Sequence, residues 1–217
     1  MASWVCDGEP EPEIYSVAGD KDQAKIIFNN TSKAFKRSPV LRREVNIYKD
    51  VIERKDGRGI YKVLSADAPT AHGLNGHFVI WDELWNQRTY DLWEALTHSP
   101  ARRQPLHFIV TYAGYDQYKG NLLWDLYQTG LRGDDPGMYM FWSHDNQASW
   151  VTQEYLKQQQ RRLLTHVYMR LHENRWTSGV NNFLTRADVD GCIDPELGQR
   201  LKGDGYNYWV GVDLGLS

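Results

Sequence analysis

Four short apolar runs, Glu13–Ala18, Gly76–Trp81, Pro105–Thr111 and Met138–Trp142, constrain this chain more than any other feature. Each is too short to be a helix of normal length, and none alternates apolar with polar residues as a half-solvated strand does. Between them lie stretches with apolar residues at helical spacing. Ala24, Ile27, Phe28, Thr31 and Phe35 form one such stripe. Leu92, Trp93 and Leu96 mark a second, within a helix expected over Asn86–Thr97, and Leu122, Leu123, Leu126 and Tyr127 a third, within Tyr118–Leu131. Thr152 is placed to cap a fourth helix running to Leu164. Strands buried on both sides and alternating with amphipathic helices predict an α/β fold, a parallel sheet with helices on both faces. Asn46–Val51 and Gly59–Leu64 read as two further strands joined at Lys55-Asp56-Gly57, because an Asp-Gly pair between such runs is a hairpin signal. After Leu164 the periodicity weakens until the apolar run Asn207–Asp213.

Composition removes several alternatives. With 41% hydrophobic and 24% charged residues in 217, the chain can bury a substantial core and is not a disordered one. No apolar stretch approaches the roughly 18 to 20 residues of a membrane span, and the acidic start MASWVCDGEPEPE lacks the form of a secretory signal, which makes a cytosolic location the expectation. Cys6 and Cys192 stand far apart, outside any CxxC pattern, so neither a disulfide framework nor a structural zinc site is expected. His172-Glu173 lacks the second histidine of a zinc peptidase motif. Trp81, Trp93 and Trp124 sit on apolar stripes and read as core. The net charge of −3 hides an asymmetry: residues 33–62 hold ten basic side chains against four acidic ones. That stretch is either a phosphate-facing surface or an ordinary solvated one.

The chemistry concentrates at strand ends. Phe78-Val79-Ile80-Trp81 runs directly into Asp82-Glu83, and a buried strand that turns abruptly acidic puts its carboxylates at the sheet's C-terminal edge, where open α/β sheets bind ligands. This is the Walker B pattern, in which the first carboxylate helps hold Mg²⁺ and the second polarises the water that attacks a γ-phosphate. An acidic helix start would give the same string. The next run ends in Thr111-Tyr112-Ala113-Gly114, where a hydroxyl can sense a phosphate and small residues let the backbone move with nucleotide state; an ordinary strand-to-loop turn is the alternative.

Five blocks, Ile14–Phe28, Val63–Leu84, Arg102–Asp116, Tyr168–Gly179 and Tyr208–Gly215, together resemble the large subunit of tailed-bacteriophage terminase, the ATPase and nuclease that packages DNA into procapsids. The resemblance implies that Asp82 and Glu83 are the Walker B pair, Asp82 binding metal and Glu83 catalytic. It implies that Thr111, Ala113 and Gly114 are the nucleotide-coupling element, and that Asp213 is the first metal-binding and catalytic aspartate of an RNase H-like nuclease. It also implies ATP and Mg²⁺ as cofactors, Mg²⁺ or Mn²⁺ at the nuclease, and double-stranded DNA, a portal protein and a small terminase subunit as partners. A homo-oligomeric ring on the procapsid, in the cytoplasm of an infected bacterium and away from any membrane, completes the expectation. The implied division is a partial ATPase domain over 1–164, a linker or subdomain over 165–206, and the start of a nuclease domain over 207–217.

Two departures stand out. No Gly-Lys pair occurs in the sequence, whereas such an ATPase cradles its triphosphate with a glycine-rich loop and a lysine. Ala2–Asp7 resembles the tail of the helix that would follow that loop, and the other acidic ligands of a two-metal nuclease are missing after Asp213. The expectation is therefore an internal fragment, inactive alone. A helicase-like translocase and a non-catalytic or decayed fragment are the competing readings.

Overall fold

The structure, a computed structural model, describes residues 11–65, 73–87, 90–97, 102, 105–115, 117–146, 148–177 and 191–193. The chain divides into two compact units, residues 1–180 and 181–217, and every element named below lies in the first. The run Asn207–Asp213, including Asp213, lies outside the described residues.

Six strands form one sheet in the order β2-β3-β4-β1-β5-β6. β1 (Glu13–Ala18), β4 (Ile60–Ser65), β5 (Phe78–Asp82) and β6 (Leu106–Val110) are mutually parallel. β2 (Val45–Ile47) and β3 (Val51–Arg54) extend the sheet as antiparallel neighbours. The expected parallel α/β sheet is thus present, with an antiparallel edge. The Asp-Gly hairpin joins β3 to β4: Gly57 takes a positive φ of 74°, and Asp56 accepts from the Arg58 backbone N–H at 3.0 Å. Asn46–Val51, expected as one strand, is broken into the ends of β2 and β3. Its middle is a reverse turn, closed by the Tyr48 backbone N–H donating to Val51 O at 2.8 Å, and Asp50 in that turn pairs with Lys21 at 2.9 Å and Lys25 at 3.1 Å.

Helices cover both faces. α1 (Lys21–Arg37) begins where Asp20 Oδ1 accepts from the backbone N–H groups of Asp22 and Gln23. Its apolar stripe, Ala24, Phe28 and Phe35, packs on Ile14, Ala18, Ile52, Tyr61 and Val63. α2 (Pro39–Glu44) is a single short turn before β2. On the other face α3 (Asp91–Thr97) and α4 (Leu122–Arg132) bring Leu92, Leu96, Leu122 and Leu123 against Tyr15, Val17, Val79 and Trp81. Trp81 is the largest side chain of this layer, 1% exposed, with its ring 5.2 Å from that of Trp93. Trp124 packs against Tyr127 and Trp176, so the three tryptophans assigned to packing do pack.

Four further readings need correction. The helix expected from Asn86 is shorter, with a 3-10 turn over Leu84–Asn86 ahead of α3. β6 is an edge strand rather than a fully buried one, and alternate residues Leu106, Phe108 and Val110 are 57%, 53% and 51% exposed. Met138–Trp142 forms no strand: Tyr139 and Phe141 are exposed, and Trp142 stacks on Trp176 at 6.0 Å. After α5 (Gln153–Arg162), which Thr152 caps as expected, the chain forms another helix, α6 (Thr165–Glu173), where only weakening pattern was read. No described helix is long and apolar enough to cross a membrane.

Candidate nucleotide-hydrolysis site

The parallel pairing of β5 with β6 sets Asp82 opposite Val110, so both strands end at one edge of the sheet. There the chain leaves β5 through Glu83, whose φ of 55° and ψ of 52° lie in the left-handed region. A non-glycine residue in that conformation is uncommon and is held only where the surroundings fix it. Here they do. The Glu83 backbone N–H donates to Val110 O at 2.9 Å, and the Trp85 indole Nε1–H donates to Glu83 Oε2 at 2.6 Å. The Trp85 backbone N–H in turn donates to Thr111 Oγ1 at 3.2 Å. Asp82, Glu83 and Thr111 are therefore brought to one edge, as their sequence positions predict. Ala113 and Gly114 follow, both buried.

The two carboxylates are desolvated. Burial pushes Asp82 above its ordinary range, opposed by a backbone hydrogen bond from Glu83. Burial does the same to Glu83, where the Trp85 hydrogen bond and the Arg170 charge oppose it and the Asp82 charge adds to it. Adjacent, partly buried carboxylates favour a cation between protein and solvent. Asp82 and Glu83 offer carboxylate oxygens, the hard donor type that Mg²⁺ takes.

Gly19 lies at the same end of the sheet, in the turn after β1. A Cβ there would stand 2.7 Å from Asn86 Nδ2, so glycine lets the turn after β5 close against the turn after β1.

Sequence reasoning assigned no role to the residues that brace this edge. Asn174, the left-handed C-cap of α6 with a φ of 48°, accepts from the Ala113 backbone N–H at 2.8 Å and donates through Nδ2 to Ser143 O at 3.0 Å. Arg170, four residues earlier on α6, has its guanidinium carbon 4.6 Å from the Trp85 ring centre, 5.0 Å from that of Tyr112 and 4.2 Å from that of Tyr115. The block Tyr168–Gly179 contains both residues, but an apolar-periodicity reading passes over a buried cation.

A sheet edge carrying Asp-Glu on one parallel strand and Thr-x-Ala-Gly on its neighbour is common to several nucleotide-hydrolase families. The family comparison separates them: the model for the terminase large subunit, ATPase domain, matches residues 2–128. The chain belongs to the terminase large subunit ATPase family. Solved terminase structures share its fold. The large terminase of bacteriophage HK97 matches with a TM-score of 0.66 at 20% identity, over 88% of this chain and 46% of that one. The large terminase ATPase domain of Thermus phage P74-26 matches with a TM-score of 0.65 at 16% identity, over 81% of both chains. The large terminase of another thermophilic bacteriophage, solved in complex with ADP, matches with a TM-score of 0.55 at 14% identity, over 81% of this chain and 43% of that one. This terminase chain spans 46% of the HK97 protein's length. No curated protein matches it.

Proposed function

We propose that this chain supplies the hydrolytic edge of a DNA-packaging ATPase. Glu83 orients and activates the water that attacks the γ-phosphate, Asp82 would hold Mg²⁺, and Thr111 with the Ala113-Gly114 backbone responds to the phosphate and passes the change to the rest of the fold. When bound, Mg²⁺ supplies charge neutralisation at the phosphates. The observation that carries the reading is the convergence of Asp82, Glu83 and Thr111 at the end of two paired parallel strands. Complexes of a thermophilic bacteriophage's large terminase with ADP and with ATP-gamma-S support ATP as the ligand. A Glu83→Gln substitution that abolishes ATP turnover while leaving nucleotide affinity intact is the test of this assignment.

Double-stranded DNA is the substrate moved, with a portal protein, a small terminase subunit and a homo-oligomeric ring as the assembly and the host cytoplasm as its place. The division into an ATPase part, a linker and a nuclease start whose first metal-binding aspartate is Asp213 belongs to the same proposal. Lys36, Arg42 and Lys55 line a cavity of about 560 Å³ beside β2, together with Asn46 and Tyr48, and this is where we place a DNA backbone contact. Each phosphate neutralised by protein releases counterions and steepens the salt dependence of binding by about 0.9 in a log–log plot. Reversing all three charges to Glu is expected to flatten that slope by roughly 2 to 3 units. Affinity for a duplex measured across a salt series checks this, and an unchanged slope returns the groove to ordinary surface.

A further inference from the structure

Arg170 is a buried cation whose positive charge acts on both Glu83 and Tyr112. It is 7% exposed, its Nε and Nη1 have no hydrogen-bond partner, and the rings of Trp85, Tyr112 and Tyr115 surround its guanidinium at 4.2 to 5.0 Å. Removing such a group from water is costly unless something compensates. The ring faces do so here: a guanidinium over an aromatic face is attracted by its quadrupole, more strongly when both are desolvated. The same attraction acts on the rings. The Trp85 indole packs against both the guanidinium, 4.6 Å from its centre, and the Tyr112 ring, whose centre is 5.6 Å away and itself 5.0 Å from the guanidinium.

The orientation of that indole matters because its Nε1–H donates to Glu83 Oε2 at 2.6 Å, and its backbone N–H to Thr111 Oγ1 at 3.2 Å. Glu83 sits in a left-handed backbone conformation, which a non-glycine residue holds only where its surroundings fix it. A second anchor at the end of the same helix fixes the arrangement: Asn174, the C-cap of α6, accepts from the Ala113 backbone N–H at 2.8 Å. α6 and its C-cap thereby grip the segments that follow both β5 and β6.

We propose that Arg170 is a positioning residue for Glu83, acting through the indole of Trp85. This rests on the reading of Glu83 as the hydrolytic carboxylate, and it makes α6 a part of the site that the Walker B and coupling segments alone do not include. Arg170 touches neither nucleotide nor water in this role. It fixes the donor that fixes the carboxylate.

The test is indole N–H exchange in the 217-residue chain with ¹⁵N-labelled tryptophan, the Trp85 signal assigned by Trp85→Phe. In Arg170→Met the Trp85 Nε1–H is expected to exchange at least tenfold faster, whereas the Trp81 Nε1–H, bonded to His107 Nδ1 at 3.0 Å, stays within twofold of its native rate. Arg170→Lys keeps the charge and loses the planar stack, so an acceleration of about threefold is expected; if the Met variant does not fold, the Lys variant carries the result. An unchanged Trp85 rate overturns the proposal, and so does equal acceleration at Trp81 and Trp85, which marks a general loosening. In ATP turnover by the terminase polypeptide containing these residues, Arg170→Met is expected to lower kcat about tenfold with KM within twofold. A Glu83→Gln variant that turns over like the native protein refutes the hydrolytic reading. Native turnover by Arg170→Met beside an inactive Glu83→Gln refutes the Arg170 inference alone.

Discussion

Glu83→Gln, made in the terminase polypeptide that contains this chain, is expected to lower kcat for ATP by about 10²- to 10⁴-fold, the range for loss of a positioned proton acceptor. KM should change little. Glutamine keeps the length of the side chain, and its carbonyl can still accept from the Trp85 indole, which now donates to Glu83 Oε2 at 2.6 Å. The fold and the nucleotide contacts therefore survive while the basic oxygen is lost. The 217-residue chain contains no Gly-Lys pair, and positioning with electrostatic neutralisation of the phosphates provides most of the catalysis in phosphoryl transfer. Purified alone, it is accordingly expected to turn over ATP no faster than its own Glu83→Gln variant. Steady-state turnover at saturating Mg²⁺ reads both effects, and robust turnover by the isolated chain that vanishes in the variant would reveal a phosphate cradle of another kind.

Trp81→Ala should destabilise the first unit by about 3 to 5 kcal/mol, a large share of the roughly 5 to 15 kcal/mol typical of a folded domain. Trp81 is 1% exposed, stacks against Trp93 and His107, and donates its indole N–H to His107 Nδ1 at 3.0 Å. Burial pushes the His107 pKa down, which keeps the ring neutral and Nδ1 an acceptor. Truncation both opens a cavity and strands that acceptor. Trp81→Phe fills most of the space and should cost less, about 1 to 3 kcal/mol for the unpaired nitrogen. Urea unfolding midpoints separate the two, and a loss below about 1 kcal/mol for the alanine variant is incompatible with this packing. Because Trp81 precedes Asp82, the same residue anchors the site from beneath.

β1, α1, β5 and the Asp-Gly hairpin were legible in the sequence because each follows from a local rule: an apolar run, a capped stripe at helical spacing, a turn pair. The adjacency of Asp82 and Thr111 was legible for the same reason, since two parallel strands buried in one sheet end at one edge. Other features depend on contacts distant in sequence. Asn46–Val51 splits at a turn that pairs β2 with β3, and its Asp50 meets lysines from α1. β6 reads as fully buried from composition, but its place at the end of the sheet leaves alternate residues exposed. α6 was missed because its buried residues include Arg170, and hydrophobic periodicity counts a cation as surface. The same blindness hid the bracing of the site. Nothing local to Asp82-Glu83 indicates that a helix far along the chain holds Trp85 and Ala113 in place.

Hydrolysis of ATP at the shared end of β5 and β6 is open to experiment. It is tested most directly by the structure of the terminase polypeptide containing these residues, bound to Mg²⁺ and ATP-gamma-S. The γ-phosphate is expected at that edge, with Thr111 Oγ1 within hydrogen-bond reach, Asp82 beside Mg²⁺ and Glu83 facing the attacking water. A nucleotide bound elsewhere, for instance in the Lys36, Arg42 and Lys55 groove beside β2, or a triphosphate whose Mg²⁺ ignores Asp82, would contradict it.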